Sequence, residues 1–170
     1  MEHQELIQEM NDFDYALIRR LLADDVKNFL KENKLKSSLN FISPEDFVQI
    51  GFGAIFITKP ISILWTTGIA TFYLPTKQGI DNNFKIDFFS IPPITIEIWF
   101  EDTIEKKIEM GILSSKSVEL KIDSSKVKDS VSEIYVTTDR LWLSNKIINQ
   151  DKSILLGVGI KSISNLTCNS

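Results

Sequence analysis

Cysteine is nearly absent from this chain: Cys168 stands alone among 170 residues. One thiol cannot close an intramolecular bridge, so the pattern is that of a protein from a reducing compartment or of an unconstrained tail. Histidine is equally scarce. His3 is the single one, which excludes a histidine-based catalytic triad and a zinc site of His and Cys ligands. Long apolar runs are missing too. The most apolar stretch, Ile50 to Leu74, is broken by Gly51, Gly53, Lys59, Pro60 and Gly68, so it cannot supply the roughly 20 apolar residues of a spanning helix. The opening residues MEHQELIQEMNDFD carry neither the basic start nor the apolar segment of a secretion signal. Together these absences predict a cytoplasmic protein without a membrane span.

An excess of basic charge is also lacking. Nineteen Lys and Arg face 23 Asp and Glu, interspersed, for a net charge of −4. That balance gives no surface for a phosphate backbone and argues against nucleic acid as a partner. No GxxxxGK[ST] loop occurs, and Gly51-Phe52-Gly53 leads into a strand pattern rather than a helix. No cofactor and no metal are expected. Adjacent acids such as Glu101-Asp102 are the pairs available for glycoside hydrolysis, but neighbours in a strand point to opposite faces. The chain reads as a non-enzyme.

What is present is two kinds of periodicity. Leu6, Met10, Phe13, Leu17 and Leu21 recur at helical spacing, and Val26, Phe29 and Leu30 continue the stripe, predicting a helix over residues 4–34. The stripe packs on the chain's own sheet or serves as a dimerisation or docking helix, which leaves open a homodimer through residues 4–34. Ser43-Pro44-Glu45-Asp46 predicts a short helical turn. After residue 47 the period becomes two. Phe72, Phe84/Ile86/Phe88, Ile94/Ile96/Ile98, Val118/Leu120/Ile122, Ile134/Val136 and Ile154/Leu156/Val158/Ile160 alternate with other, largely polar, neighbours. The exception is Thr103–Glu109, where a helical stretch is an alternative. Turns are expected at residues 75–79, 90–93, 114–116 and 149–151. The fold predicted is mainly β, an antiparallel β-sandwich, jelly-roll-like, of about eight strands over residues 41–170, behind a helical arm over residues 1–40.

Aromatic residues give the positive functional signal. Trp99 shares the polar side of its strand with Thr95, Glu97 and Glu101, and Tyr135 lies on the polar side of another. Rings on an open sheet face stack on the apolar faces of sugars, so Trp99 and Tyr135 are the candidate ligand-binding residues, with Glu97 and Arg140 to bond hydroxyls. The other reading of this face is that the N-terminal helix covers it. Trp65 and Trp142 sit among apolar residues and are expected in the core.

Two segments resemble a β-sandwich domain appended to bacterial glycosyltransferases of surface-polysaccharide synthesis. One runs Gly51-Phe52-Gly53, Leu64-Trp65-Thr66-Thr67-Gly68-Ile69-Ala70, Leu74-Pro75. The other runs Asp139-Arg140-Leu141-Trp142-Leu143-Ser144, Asp151, Leu156-Gly157-Val158-Gly159-Ile160 and Ile163. The chain departs from that family at Leu64 and Ser153, where arginine is usual, at Ala54 and Ile55, where a glutamate is usual, and at Ser144, where proline is common. The resemblance implies a non-catalytic accessory module that binds glycan or docks a glycosyltransferase. The alternative is a protein–protein adaptor acting through the N-terminal amphipathic helix.

The alternation assigns Phe72, Ile96, Ile98, Leu120, Ile134 and Val158 to the core. Ile98→Ala is expected to cost about 2–5 kcal/mol in urea denaturation. A near-neutral result would mean that the faces of this strand, and with them Trp99, are reversed.

Overall fold

Alternating apolar residues bury one face of a strand, and two such faces stacked together make a sandwich. The computed structural model describes residues 24–51, 53–57, 63–144 and 154–168. The chain divides into two units, Met1–Lys34 and Leu35–Ser170. In the first, a helix spans 24–31, and the side-chain amide of Asn33 donates to the Phe29 carbonyl at 2.9 Å beyond its end. The stripe from Leu6 to Leu21 lies outside the described residues.

The second unit holds twelve strands among the described residues: β1 Ser38–Leu39, β2 Ala54–Ile57, β3 Ile63–Thr66, β4 Ile69–Pro75, β5 Asn82–Ser90, β6 Ile94–Phe100, β7 Thr103–Met110, β8 Ser114–Ile122, β9 Val131–Thr138, β10 Trp142–Leu143, β11 Leu155–Leu156 and β12 Gly159–Asn165. One sheet has the order β2-β3-β12-β5-β8, with β1 also paired to β12. The other is β4-β9-β6-β7, and β10-β11 form a separate ribbon. Every pairing is antiparallel. The antiparallel sandwich predicted from the alternation is thus the fold.

The core lies between the two sheets. Phe84, Ile86, Val118, Leu120, Val158 and Ile160 face inward from the larger sheet, and Phe72, Ile96, Ile98, Phe100, Ile134 and Val136 from the smaller. The Phe84 and Phe100 rings meet at 5.8 Å. All six residues assigned to the core are buried. Trp65 joins a second cluster with Ile57, Ile63 and Leu156, against which half-buried Trp142 packs; the two indoles meet edge to face at 5.4 Å.

Several local expectations are corrected. Residues 103–110 form a strand, not a helix, because Ile108 and Met110 turn inward beside Ile96 and Ile94. Glu101-Asp102 lie in the β6–β7 turn rather than within a strand, and Glu101 has φ of 51°. Gly111 to Leu113 make the β7–β8 connection, so Ser114–Lys116 are not a turn but the start of β8, where Ser114 pairs with Ser90. The alternation from Ile154 to Ile160 is split between β11 and β12. A bulge between Ile160 and Ser162 then lets Ile160 and Ile163 both enter the core. The segment 43–46 begins a 3-10 turn over Pro44–Gln49, with no side-chain cap from Ser43. Buried Asp46 instead accepts from Phe41 N–H at 2.9 Å and pairs with Lys36 at 2.7 Å. The turn expected at 149–151 lies outside the described residues.

The two segments that carried the resemblance meet in space. Gly157 N–H donates to the Thr66 carbonyl at 2.7 Å, Val158 N–H to Thr66 Oγ1 at 3.0 Å, and Trp142 Nε1 to the Gly157 carbonyl at 2.8 Å. A Cβ on Gly157 would fall on Thr66 Oγ1 and lie 2.8 Å from Thr138 Oγ1. Gly157→Ala is therefore expected to destabilise the protein by about 1–3 kcal/mol, measured as a lower urea midpoint. Gly111→Ala, where an added Cβ meets nothing within 4 Å, is the control and should leave the midpoint nearly unchanged.

Candidate functional site

Cross-strand register builds a surface on the outer face of the smaller sheet. Strand β6 alternates, so burying Ile96, Ile98 and Phe100 turns Thr95, Glu97 and Trp99 outward. Tyr135 on β9 stands opposite Trp99, and Thr71 on β4 stands opposite Tyr135. A bulge between Ile98 and Trp99 shifts β7 so that exposed Ile104 completes the row. The row Thr71, Tyr135, Trp99, Ile104 crosses all four strands. The Trp99 and Tyr135 rings stack at 5.2 Å with an interplanar angle of 12°. Trp99 Nε1 donates to Thr137 Oγ1 at 3.3 Å, which fixes the indole's orientation.

The expectation that both rings stand in water is corrected for Tyr135. It lies on the outer face but is only 7% exposed, with the Trp99 ring against it. Trp99 is half-buried. Thr71, Tyr73 and Glu133 on the same face are also buried, and Tyr73 Oη donates to Glu133 Oε2 at 3.4 Å. The accessible part of this face therefore begins at Trp99 and runs toward β7 and the start of β6.

There a shallow depression of about 310 Å³ opens, lined by Thr95, Glu97, Lys107, Glu109, Thr137, Thr138 and Asp139. Register explains the set, since Glu97 lies between Thr137 and Lys107, and Thr95 opposite Glu109. Lys107 Nζ is 3.8 Å from Glu97 Oε1, an exposed pair worth little to stability. At the end of the depression, Thr95 N–H donates to Asp139 Oδ1 at 2.8 Å, and Asp139 N–H returns a bond to the Thr95 carbonyl at 3.1 Å. The Thr95 N–H, with a smaller contribution from Arg140, holds the Asp139 carboxyl below the usual carboxylate range. Arg140 Nη2 lies 3.5 Å from Asp139 Oδ2.

Of the four residues nominated from the sequence, Trp99 and Tyr135 form one stack, and Glu97 lines the depression beside it. Arg140 lies at its margin and turns to Asp139. Lys107 and Glu109 were missed because residues 103–109 read equally as helix, which hides the period-two signal that places them on this face. Asp139 was missed as a site residue because its partner, Thr95, is 44 positions away. The Glu101 carboxylate, one of the adjacent pair considered for hydrolysis, accepts the Glu133 N–H at 3.0 Å. Among the described residues no group of three or more His, Cys, Asp or Glu is arranged to hold a metal, and no helix is long and apolar enough to cross a membrane.

A family 35 carbohydrate-binding module from an environmental isolate superposes with a TM-score of 0.51 at 10% identity, over 75% of this chain and 90% of its own. The likeness is one of fold. The CBM36-1 domain of a multidomain xylanase from the hindgut metagenome of Trinervitermes trinervoides aligns with a TM-score of 0.47 at 8% identity, over 71% of this chain and 90% of that one. No protein-family model matches the sequence, and no curated protein matches it.

The Asp139 clamp has a pH signature. A carboxyl whose pKa is depressed by folding adds stability above its unfolded value, near 4, and loses it as pH falls through the lower folded value. Asp139→Asn should lower the urea midpoint at neutral pH, and the gap to the wild type should close as the pH drops below about 4. An undiminished gap in acid would show that the charge is irrelevant there.

Proposed function

We propose that the sandwich is a non-catalytic carbohydrate-binding module that takes a glycan on the outer face of the β4-β9-β6-β7 sheet. The observation that carries this reading is the Trp99–Tyr135 stack at the edge of a polar depression. The buried tyrosine stacks nearly parallel on one face of the indole and braces it. The open ring face then receives the C–H groups of a pyranose, removing apolar area from water. Thr95, Glu97, Lys107 and Thr137 lie within the adjoining rows to bond the sugar's hydroxyls, and Arg140 borders them. The carbohydrate-binding module whose fold the chain shares supports the same class of ligand. Docking to a glycosyltransferase rests only on the two sequence patterns, and these residues serve packing around Thr66 and Gly157.

An open face of this kind binds weakly. Each hydroxyl exchanges water for a protein partner at small net gain. Affinities on the order of millimolar to micromolar, about −4 to −8 kcal/mol, are expected. Screening the protein on a glycan array and titrating the hits is the test. Trp99→Ala should weaken binding by about tenfold or more, about 1.4 kcal/mol, with the melting temperature recorded to confirm folding. Absence of binding to every glycan, or affinity unchanged in a folded Trp99→Ala protein, would remove the proposal.

A further inference from the structure

Strand β6 sets out its outward side chains in steps of two residues, roughly 7 Å each. The row at its far end is Trp99 with Tyr135 and Ile104. The next is Glu97 with Thr137 and Lys107. The last is Thr95 with Glu109, and with Asp139 bonded to the Thr95 backbone. Trp99 and Thr95 thus stand roughly 13 Å apart along the strand. A single pyranose seated on the indole meets the edge of the Glu97 row and falls short of the Thr95 row. Crosswise, the platform is one ring wide. Toward β4 it closes at Tyr135, Thr71 and Glu133, all buried, and toward β7 it ends on exposed Ile104 at the last strand of the sheet. Beyond Trp99 the chain turns at Glu101, whose carboxylate accepts the Glu133 N–H. The polar groups of the depression therefore continue from the indole in one direction, along β6 toward Thr95.

Those groups suit neutral hydroxyls. Lys107 Nζ is 3.8 Å from Glu97 Oε1, beyond hydrogen-bond length, so one hydroxyl can accept from the ammonium and donate to the carboxylate. Building on the glycan reading above, we propose that this face takes a linear neutral oligosaccharide laid lengthwise along β6, one ring on Trp99 and the following rings over the Glu97 and Thr95 rows. The smallest ligand of full affinity is a segment of about three sugar residues, one to each row. Trp99 supplies the apolar contact, and the two polar rows fix the direction in which the chain runs.

The experiment titrates the full chain by calorimetry with neutral linear oligomers of glucose, xylose and mannose, each from one to six residues long. In a series that binds, affinity is expected to rise by about tenfold or more from one residue to three, the gain of a few added hydrogen bonds, and to change little from four to six. Trp99→Ala should weaken binding at every length. Glu109→Gln, with its melting temperature recorded, should leave the monosaccharide unchanged and remove part of the gain made by the third residue. Equal affinity for one residue and three, or a rise that continues undiminished to six, would overturn the lengthwise track while leaving a glycan-binding face. A folded Glu109→Gln protein that gains from the third residue as the wild type does would overturn it as well, and so would array hits confined to branched or charged glycans. Failure of every oligomer, together with a silent array, would remove the glycan reading itself.

Discussion

The larger sheet depends on its last strand. Strand β12 lies at the centre, with β3 and β1 along one edge and β5 along the other. Crowding at that position sets its sequence. A Cβ on Gly159 would lie 2.7 Å from Ile63 Cγ2 and 3.1 Å from the Phe89 carbonyl, so glycine is the residue that lets three strands converge. The bulge two residues later allows Ile160 and Ile163 both to reach the core. At its end, buried Asn165 donates to the Pro75 carbonyl and to Asn82 Oδ1, each at 2.9 Å. Asn82 in turn closes the β4–β5 turn through the Lys77 backbone. Strand β12 thus ties β1 and β3 to β5, a non-local arrangement of the kind that folds slowly.

The two outer faces differ in what they carry. On the larger sheet, the second apolar cluster gathers Trp65, Ile57, Ile63 and Leu156, and the β10–β11 ribbon brings Trp142 against it. The Thr66–Gly157 crossing pins the ribbon there. On the smaller sheet, the outer face instead carries Trp99 held flat on Tyr135, with charged and hydroxyl groups in the next rows. Two of the three tryptophans are packing residues and the third is presented toward solvent, a difference made by cross-strand neighbours and not by residue type. One ion pair and one bulge then shape the presented face. Glu105, at the bulge, is nearly buried and pairs with Lys126 at 2.7 Å, which holds β7 to the 3-10 turn after β8 and keeps the edge of the face in place.

Much of the fold was legible in the order of residues. The period of two identifies β4, β5, β6, β8 and β9 and the inward faces of Phe72, Ile96, Ile98, Leu120, Ile134 and Val158, because burial of one sheet face requires that alternation. The same alternation placed Trp99 and Glu97 on the outer side. Charge balance, the lone Cys168 and the lone His3 shaped the expectations about chemistry before any contact between strands was known.

What only the tertiary structure decided is everything that depends on residues far apart in the chain. Tyr135 is buried because Trp99, 36 positions earlier, stacks on it. Thr103–Met110 is a strand because Ile96 and Ile94 stand opposite its apolar residues, while its own spacing of Ile104 and Ile108 suits a helix equally well. Asp139 closes the depression because Thr95 is its partner, and Gly157 must be glycine because Thr66, 91 positions away in sequence, occupies the space its side chain would need. Local patterns carry the preference of a segment for one face, since that is a property of neighbouring residues. Which residues meet across the sheets is a property of the register between strands, and that is settled only when the whole core closes.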